Sequence, residues 1–264
     1  MNKVIRAEFG RTINAGLIIA IAGIIFSICF DSFNDLIAGL RNGQGYVGYF
    51  FSNAAFGGMC TKYMLPVFTA LPFSVSLCQE RNNKAVSYIV SREGKNRYIF
   101  AKFIVSAISG GFVAACGTVL LFLILAMRFP IAGDEFEGAV VSDYFHEWSA
   151  VYYPQLYILT LSILAFCRGV IWSSLALCVS LYTSDFMVVL LSPFLGSYVL
   201  VRIFQIIRVP DMVRPDMILI GQVVIKSSGL TLLIAIAISL TIVTLIGAFF
   251  VGKMKEGLKS GTIY

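Results

Sequence analysis

Residues 79–102 read QERNNKAVSYIVSREGKNRYIFAK, and this charged stretch lies between two strongly apolar runs. It carries six basic residues, Arg81, Lys84, Arg92, Lys95, Arg97 and Lys102. Charged groups are costly in the hydrocarbon of a bilayer, so the stretch must project into water on one side of a membrane. Because cytoplasmic loops carry the excess of Lys and Arg, we place it in the cytoplasm.

The same stretch has the pattern of an amphipathic helix. Ala85 and Ile89 share one face, and charged residues surround them. Gly94 is a typical helix stop, and we expect the next helix to begin near Tyr98. Such a segment is either a solvated loop or a docking helix for a soluble partner.

The composition indicates an all-α integral membrane protein. Of 264 residues, 58% are hydrophobic and only 13% are charged, and the mean hydropathy is +0.87. A soluble domain has roughly 25% charged residues. The long unbroken apolar runs favour transmembrane helices over a barrel. We interpret the net charge of +6 as a signal of orientation in the membrane. Membrane lipid is therefore an expected partner, and the sequence gives no support for nucleic-acid binding.

We predict six transmembrane helices in a single domain that covers residues 1–264. The predicted spans are 15–30, 63–78, 100–127, 156–181, 186–207 and 230–251. Pro66 and Pro72 favour a bend in the second span. Tyr46–Cys60 is apolar and Gly-rich, and we expect it to prolong the second span or to form a short interfacial helix. If it were a seventh span, the two basic termini would lie on opposite sides of the membrane, so we do not count it as a span.

The distribution of charge supports this topology. Predicted inner segments hold twelve Lys and Arg and outer segments hold six, while nine acidic residues lie outside. We therefore predict a multi-pass plasma membrane protein with both termini in the cytoplasm. Met1–Asn14, with Ile5, Phe9 and Ile13 repeating every four residues, is either an interfacial amphipathic helix or a basic flank that orients the first span.

The chain resembles the ABC-2 type permeases, which are the membrane subunits of ATP-driven exporters. The resemblance rests on the hydropathy of the whole chain and on a series of residues that follow an apolar helix. In chain order they are Glu80, Ser87, Ser91, Arg92, Tyr98 and Lys102. Where that family usually has Gly-Thr a few residues after the Glu, this chain has Asn83-Lys84-Ala85.

The resemblance implies a mechanism and partners. In that family the loop between spans 2 and 3 forms a cytoplasmic coupling helix that sits in a groove of a separate ABC ATPase subunit. Carried onto this chain, the docking residues are Glu80, Arg81, Lys84, Ser87, Ser91 and Arg92. The family further implies a second permease copy or a related permease, and export of antimicrobial peptides, drugs or lipids. Met217–Ile225 resembles the outer re-entrant element that precedes the family's last span.

The chain itself has no nucleotide-binding motif. A P-loop ending at Gly94-Lys95 would need Gly in place of Ile89 and Ser or Thr in place of Asn96. We therefore expect no enzymatic activity and no cofactor in this chain, with ATP and Mg²⁺ bound by the partner ATPase. The acidic segment Phe129–Pro154, with the only histidine, His146, lacks metal-site spacing, and we interpret it as a solvated outer loop.

Two arginines fall within predicted spans. Arg168 lies near the middle of the fourth span, and Arg202 lies in the fifth with Gln205 nearby. An arginine at the centre of a bilayer costs roughly 2.5–3.5 kcal/mol on insertion scales, so each should face protein or a water-filled cavity. Each is either a structural tie to a neighbouring helix or part of a substrate path.

Two other classes of function remain open. An ion-coupled secondary transporter would be expected to show internal repeats or carboxylates within spans, and none is evident in the sequence. A membrane scaffold or sensor without transport activity is the other. Gly110-Gly111 and Gly117 in the third span either permit a close helix approach or are simply tolerated there.

Overall fold

The computed structural model describes residues 2–42, 47, 50, 58–131, 153–223 and 225–260, and the regular structure in these ranges is helical. The helices are α1 Asn2–Thr12, α2 Ala15–Asp31, α3 Phe33–Asn42, α4 Met59–Ala70, α5 Ser76–Asn82, α6 Val86–Glu93, α7 Lys95–Ala126, α8 Pro154–Val179, α9 Phe186–Ile207, α10 Pro215–Ile220 and α11 Ser228–Ser260. A single 3₁₀ turn, Asp211–Val213, precedes α10. The all-α class predicted from the sequence is confirmed.

Four helices are long and apolar enough to cross a membrane. They are α7, α8 from Gln155 onward, α9 and α11, and they coincide with the predicted spans 100–127, 156–181, 186–207 and 230–251. The helical segments Ile5–Thr12 and Ala15–Asp31 pass the same test only as a pair bent by 58°. The described part of the chain therefore has four candidate spans, or five if the bent pair is one span.

The predicted second span, 63–78, does not form one helix. The apolar stretch is divided into α4, which ends at Ala70, and α5, which begins at Ser76, with turn residues between them. Pro72 lies in this turn, and because it has no N–H it cannot continue the hydrogen-bond ladder of α4. Pro66 lies inside α4 without ending it. Six spans thus stay a prediction that the structure bears out only in part.

The packing between α7 and α8 is the most extensive in the bundle. A Cβ added at Gly169 would lie 2.4 Å from the carbonyl oxygen of Gly110, and one at Gly110 would lie 2.4 Å from the Ser173 side chain. The two backbones can approach this closely only because both positions lack a side chain. Of the two alternatives left open for Gly110, the structure shows the close helix approach.

The predicted outer elements are only partly within the described residues. α10 covers the first part of the predicted re-entrant segment Met217–Ile225, and its residues Ile218, Leu219 and Ile220 are buried. Gly221, at φ +87°, ends α10 in a left-handed conformation that suits glycine. Re-entry into a membrane stays a prediction. Most of Tyr46–Cys60 and of Phe129–Pro154, including His146, lies outside the described residues.

Candidate functional site

The charged stretch 79–102 folds as the end of α5, all of α6 and the start of α7. The turn between α5 and α6 places Lys84 at φ +52°, a conformation that glycine adopts more easily. Gly94, at φ +86°, ends α6, as predicted. α7 begins directly at Lys95, three residues before the predicted restart at Tyr98.

α6 is held by its apolar face. Val86 and Ile89 are buried in a cluster with Tyr98 of α7 and with Phe250 and Met254 of α11. Burying apolar side chains on one face of a short helix supplies the stability that eight residues cannot provide alone. α6 therefore shares one buried cluster with the start of α7 and the C-terminal part of α11.

The opposite face of α6 is exposed. Four of the six predicted docking residues, Lys84, Ser87, Ser91 and Arg92, have exposed side chains. Tyr88 is 67% exposed on the same surface and was not predicted. Because Tyr88 precedes Arg92 by four residues, helical periodicity could have identified it. We call Lys84, Ser87, Tyr88, Ser91 and Arg92 the exposed face of α6.

Glu80 points the other way. Its side chain is buried, and its carboxylate accepts hydrogen bonds from Lys102 Nζ at 2.6 Å, Arg11 Nη1 at 2.6 Å and Tyr98 Oη at 2.5 Å. The expectation that Glu80 directly contacts an ATPase therefore needs correction. Buried charges require partners, and here those partners come from α1 and α7.

Glu8 of α1 completes this buried charged cluster. Glu8 is 3% exposed, and its carboxylate oxygens lie 3.4 Å from Lys102 Nζ and 3.4 Å from Arg11 Nη1. Lys102 is fully buried, and its ammonium also lies 4.8 Å from the centre of the Phe73 ring. Two carboxylates thus balance two cations where α1, α5 and α7 meet.

The amphipathic pattern of α1 correctly predicts a helix, but it does not identify Glu8 and Arg11 as members of a site. The available signal is that Glu8 is the only acid in the basic N-terminal segment. Ile13, expected on the interfacial face, is 79% exposed, while Glu8 and Thr12 face the protein. The contacts of α1 with the bundle are therefore partly ionic.

Arg81, the second predicted docking residue that is not exposed, ties α5 to α8. Its Nη1 donates to the carbonyl oxygens of Ser180 at 3.0 Å and Leu181 at 3.2 Å. Asn82 Nδ2 donates to the Ser184 carbonyl oxygen at 3.2 Å. The last carbonyls of a helix lack partners within the helix, and a cation there also complements the helix dipole. α5 is thereby fixed to the turn between α8 and α9.

Arg168 lies deep in the bundle, at the wall of a cavity of about 170 Å³. Its Nε is buried without a hydrogen-bond partner. No ion pair or hydrogen bond to the Arg168 side chain occurs among the residues that the structure describes. The same cavity is lined by Lys62 of α4 and Asp216 of α10, so the structure brings Arg168 together with residues that the sequence did not associate with it.

Arg202 and Gln205 are placed elsewhere. Both are exposed on α9. Arg202 Nε donates to Tyr198 Oη at 3.2 Å, and its Nη1 donates to Gln205 Oε1 at 3.2 Å. Arg202 is thus satisfied by its own helix and does not line the cavity with Arg168. Its position, five residues before the end of α9 at Ile207, allows a long side chain to reach toward water.

No protein-family model, curated protein or solved structure matches this chain.

Proposed function

We propose that this chain is the permease subunit of an ATP-driven ABC exporter in the plasma membrane, with both termini in the cytoplasm. In this proposal the exposed face of α6 binds a separate ATPase subunit, which supplies the ATP and Mg²⁺ chemistry. The chain pairs with a second copy or a related permease, and the complex moves a peptide, drug or lipid outward.

The observation that carries the proposal is the two-sided construction of α6. One side presents Lys84, Ser87, Tyr88, Ser91 and Arg92 to solvent. The other side packs on the ends of α7 and α11 through a buried apolar cluster. An exposed, charged helix that is rigidly held from beneath suits a protein contact better than a solvated loop does.

The attachments of α5 support transmission of movement from α6 to the spans. Glu80 bonds to Lys102 on α7, and Arg81 bonds to the Ser180 and Leu181 carbonyls directly after the end of α8. A displacement of α6 by a partner would therefore reach two candidate spans through charged hydrogen bonds. In the proposal, Glu80 and Arg81 position the docking helix, and they do not contact the ATPase.

The proposal is tested by charge reversal on the exposed face. The full-length protein is purified from its native membrane, and the co-purifying proteins and ATPase activity are measured. Lys84→Glu with Arg92→Glu should remove a co-purifying ATPase, because both cations are exposed on this face. Arg92 Nη2 also lies 3.0 Å from the largely buried Glu93 Oε1, so Lys84→Glu alone, which breaks no ion pair within the described residues, is measured beside the double variant. The matched control is Lys259→Glu, which reverses an exposed charge at the same end of the bundle on α11.

The control separates docking from a general effect of charge. Equal loss of the ATPase in both variants would contradict docking through α6, and so would full retention in the double variant. A site-specific photo-crosslinker at Tyr88 adds a direct readout, because Tyr88 is the largest exposed side chain of this face. The crosslinked partner should contain a nucleotide-binding domain.

The buried Glu8 and Glu80 are carboxylates of the kind that an ion-coupled transporter would need. Both, however, are engaged by Lys102 and Arg11. Carboxylates held in ion pairs between three helices suit a fixed structural role better than proton or ion exchange. The pairing therefore favours the exporter over the secondary transporter.

A further inference from the structure

A groove runs between α9 and α11. Both helices pack against α8, but they have little contact with each other, so α8 forms the floor of the groove. The cavity that Arg168 lines occupies this groove, and residues of α4 and α10 close one end of it. α9 and α11 are also the least buried of the candidate spans. The groove therefore lies on a side of the bundle that other described helices leave uncovered.

The walls of the groove are largely apolar. Trp172 of α8, Leu200 of α9, and Ile242 and Ile246 of α11 line it. Leu200 remains 37% exposed. Exposed apolar side chains on a helix long enough to span a membrane indicate contact with lipid chains. The cavity volume of about 170 Å³ can hold part of an acyl chain but not a folded peptide.

Two cations interrupt this apolar lining. Lys62 and Arg168 both line the cavity, and neither side chain has an ion pair or hydrogen bond within the described ranges. Asp216, the acidic residue beside them, is already bound by Arg214, with 2.8 Å between Arg214 Nη2 and Asp216 Oδ2 and 3.2 Å between Nε and Oδ1. That bidentate hydrogen bond raises the pKa of Arg214.

The cavity thus has two unpaired positive charges and one acid that is paired with a third arginine. A cation within a membrane protein persists where it meets an anion or water. Basic pockets between transmembrane helices bind the head groups of anionic lipids. An apolar groove with a basic wall matches a molecule that has one anionic group and one long apolar chain.

We propose that this groove binds an anionic phospholipid. Its phosphate lies at Lys62 and Arg168, and one acyl chain lies along Ile242 and Ile246. This inference goes beyond the proposed function and does not rest on it, because lipid binding needs neither an ATPase nor transport. In this proposal Arg168 is the inner contact for the phosphate and does not link α8 to a neighbouring helix.

The test uses Trp172 as a probe inside the groove. The chain has two tryptophans, and Trp148→Phe leaves Trp172 as the only one. The full-length protein is reconstituted in phosphatidylcholine nanodiscs that contain increasing fractions of phosphatidylglycerol brominated on its acyl chains. Bromine quenches tryptophan fluorescence at contact distance. Quenching should saturate at a low fraction of brominated phosphatidylglycerol and should need a much larger fraction of brominated phosphatidylcholine.

The cations are then removed one at a time. Lys62→Gln and Arg168→Gln should each weaken the preference for phosphatidylglycerol, by about fivefold for each charge. Arg202→Gln is the matched control, because Arg202 lies on α9 outside the groove, and it should leave the preference unchanged. Lys62 is only half-buried, so Lys62→Gln keeps the test valid if Arg168→Gln does not fold.

Three results would overturn the inference. Equal quenching by the two brominated lipids would show that the groove takes lipid chains without selecting an anionic head group. If Lys62→Gln and a folded Arg168→Gln both keep the preference for phosphatidylglycerol, these two cations do not cause it. Relief of quenching by inorganic phosphate alone would assign the site to a free anion instead of a lipid.

Discussion

Lys102 Nζ and Glu80 Oε1 lie 2.6 Å apart in an ion pair that is buried at the junction of α5 and α7. Glu80 precedes the exposed helix α6 and Lys102 follows it, so the pair closes the base of the segment that we propose for docking. Arg11 shares the same carboxylate oxygen from α1, also at 2.6 Å. The orientation of α6 against the spans therefore depends on charges that do not reach its surface.

Removing either partner of this pair should destabilise the protein. Lys102→Met leaves Glu80 buried with one cation fewer, and Glu80→Met leaves a fully buried ammonium whose nearest remaining carboxylate is Glu8 at 3.4 Å. Breaking a buried ion pair costs about 3–5 kcal/mol when the other charge stays uncompensated. Arg11 still pairs with Glu80 after the first change, and Glu8 still lies near Lys102 after the second, so the loss should fall at the low end of this range. We expect each single variant to lose about 3 kcal/mol of the free energy of unfolding, measured by detergent-induced unfolding of the purified protein.

The double variant distinguishes an orphaned charge from lost packing. Lys102→Met with Glu80→Met buries no unpaired charge from this pair, so it should be more stable than either single variant. Lys253→Met is the control, since the pair of Lys253 with Glu256 is exposed and should contribute nothing measurable. Strictly additive losses in the double variant would disprove the coupling.

Gly169→Ala should separate α7 from α8. The added methyl group would lie 2.4 Å from a backbone oxygen of Gly110, which cannot rotate away as a side chain could. Overpacking of this kind typically costs about 1–3 kcal/mol. Gly252→Ala is the matched control, because nothing lies within 4 Å of its new Cβ, and it should be neutral or slightly stabilising. Thermal unfolding in detergent compares the two, and equal melting temperatures would contradict the close approach.

Local pattern explains what the sequence predicted correctly. The hydropathy of a run such as 186–207 is a property of adjacent residues, and α9 has those bounds. The exposure of Ser87, Ser91 and Arg92 follows from helical periodicity about the buried Ile89. Neither inference requires knowledge of which helices are neighbours.

Long-range contacts explain what the sequence did not predict. The burial of Glu80 depends on Arg11, 69 residues earlier, and Lys102 meets Glu8 across 94 residues. A charge in a loop is usually solvated, so only the fold could reveal that this carboxylate turns inward. Hydropathy likewise places Arg168 within a span, but it cannot show which helix wall the guanidinium faces.

Asp31 illustrates the same limit and leads to a third prediction. Asp31 directly follows the predicted first span, 15–30. In the structure its carboxylate accepts the Cys60 N–H at 2.9 Å and the Thr61 N–H at 2.6 Å. It thereby caps α4, whose own N-cap residue, Gly58, has no side chain.

Asp31→Ala should loosen the first turn of α4. Loss of an N-cap acceptor costs about 1 kcal/mol, and the charge of Asp31 also complements the helix dipole. Hydrogen–deuterium exchange should accelerate at the amides of Cys60 and Thr61, with little change in α7. The exposed Asn34 provides the control as Asn34→Ala. Unchanged exchange at both amides would rule out capping by Asp31.

The fourth prediction concerns which end of the bundle faces the cytoplasm. Ser87 on α6 and Met212 in the 3₁₀ turn are both exposed, and α9, whose 22 residues span about 33 Å, separates the two ends at which they lie. In a Cys60→Ser background, Met212→Cys should react with an impermeant thiol reagent applied to intact cells. Ser87→Cys should react only after the cells are opened, because the proposed topology places the basic loop in the cytoplasm.

The two cysteines give three further patterns, and each of them contradicts the proposed topology. Labelling of Ser87→Cys alone from outside would invert the protein, and α6 could then meet no ATPase that uses cytoplasmic ATP. Labelling of both from outside would put the two ends of α9 on one side of the membrane, so α9 would not cross it. If neither cysteine reacts in intact cells and both react after the cells are opened, both ends of α9 lie in the cytoplasm. In that case α9 does not cross the membrane either. Only reaction of Met212→Cys alone keeps a crossing α9 together with a cytoplasmic docking helix.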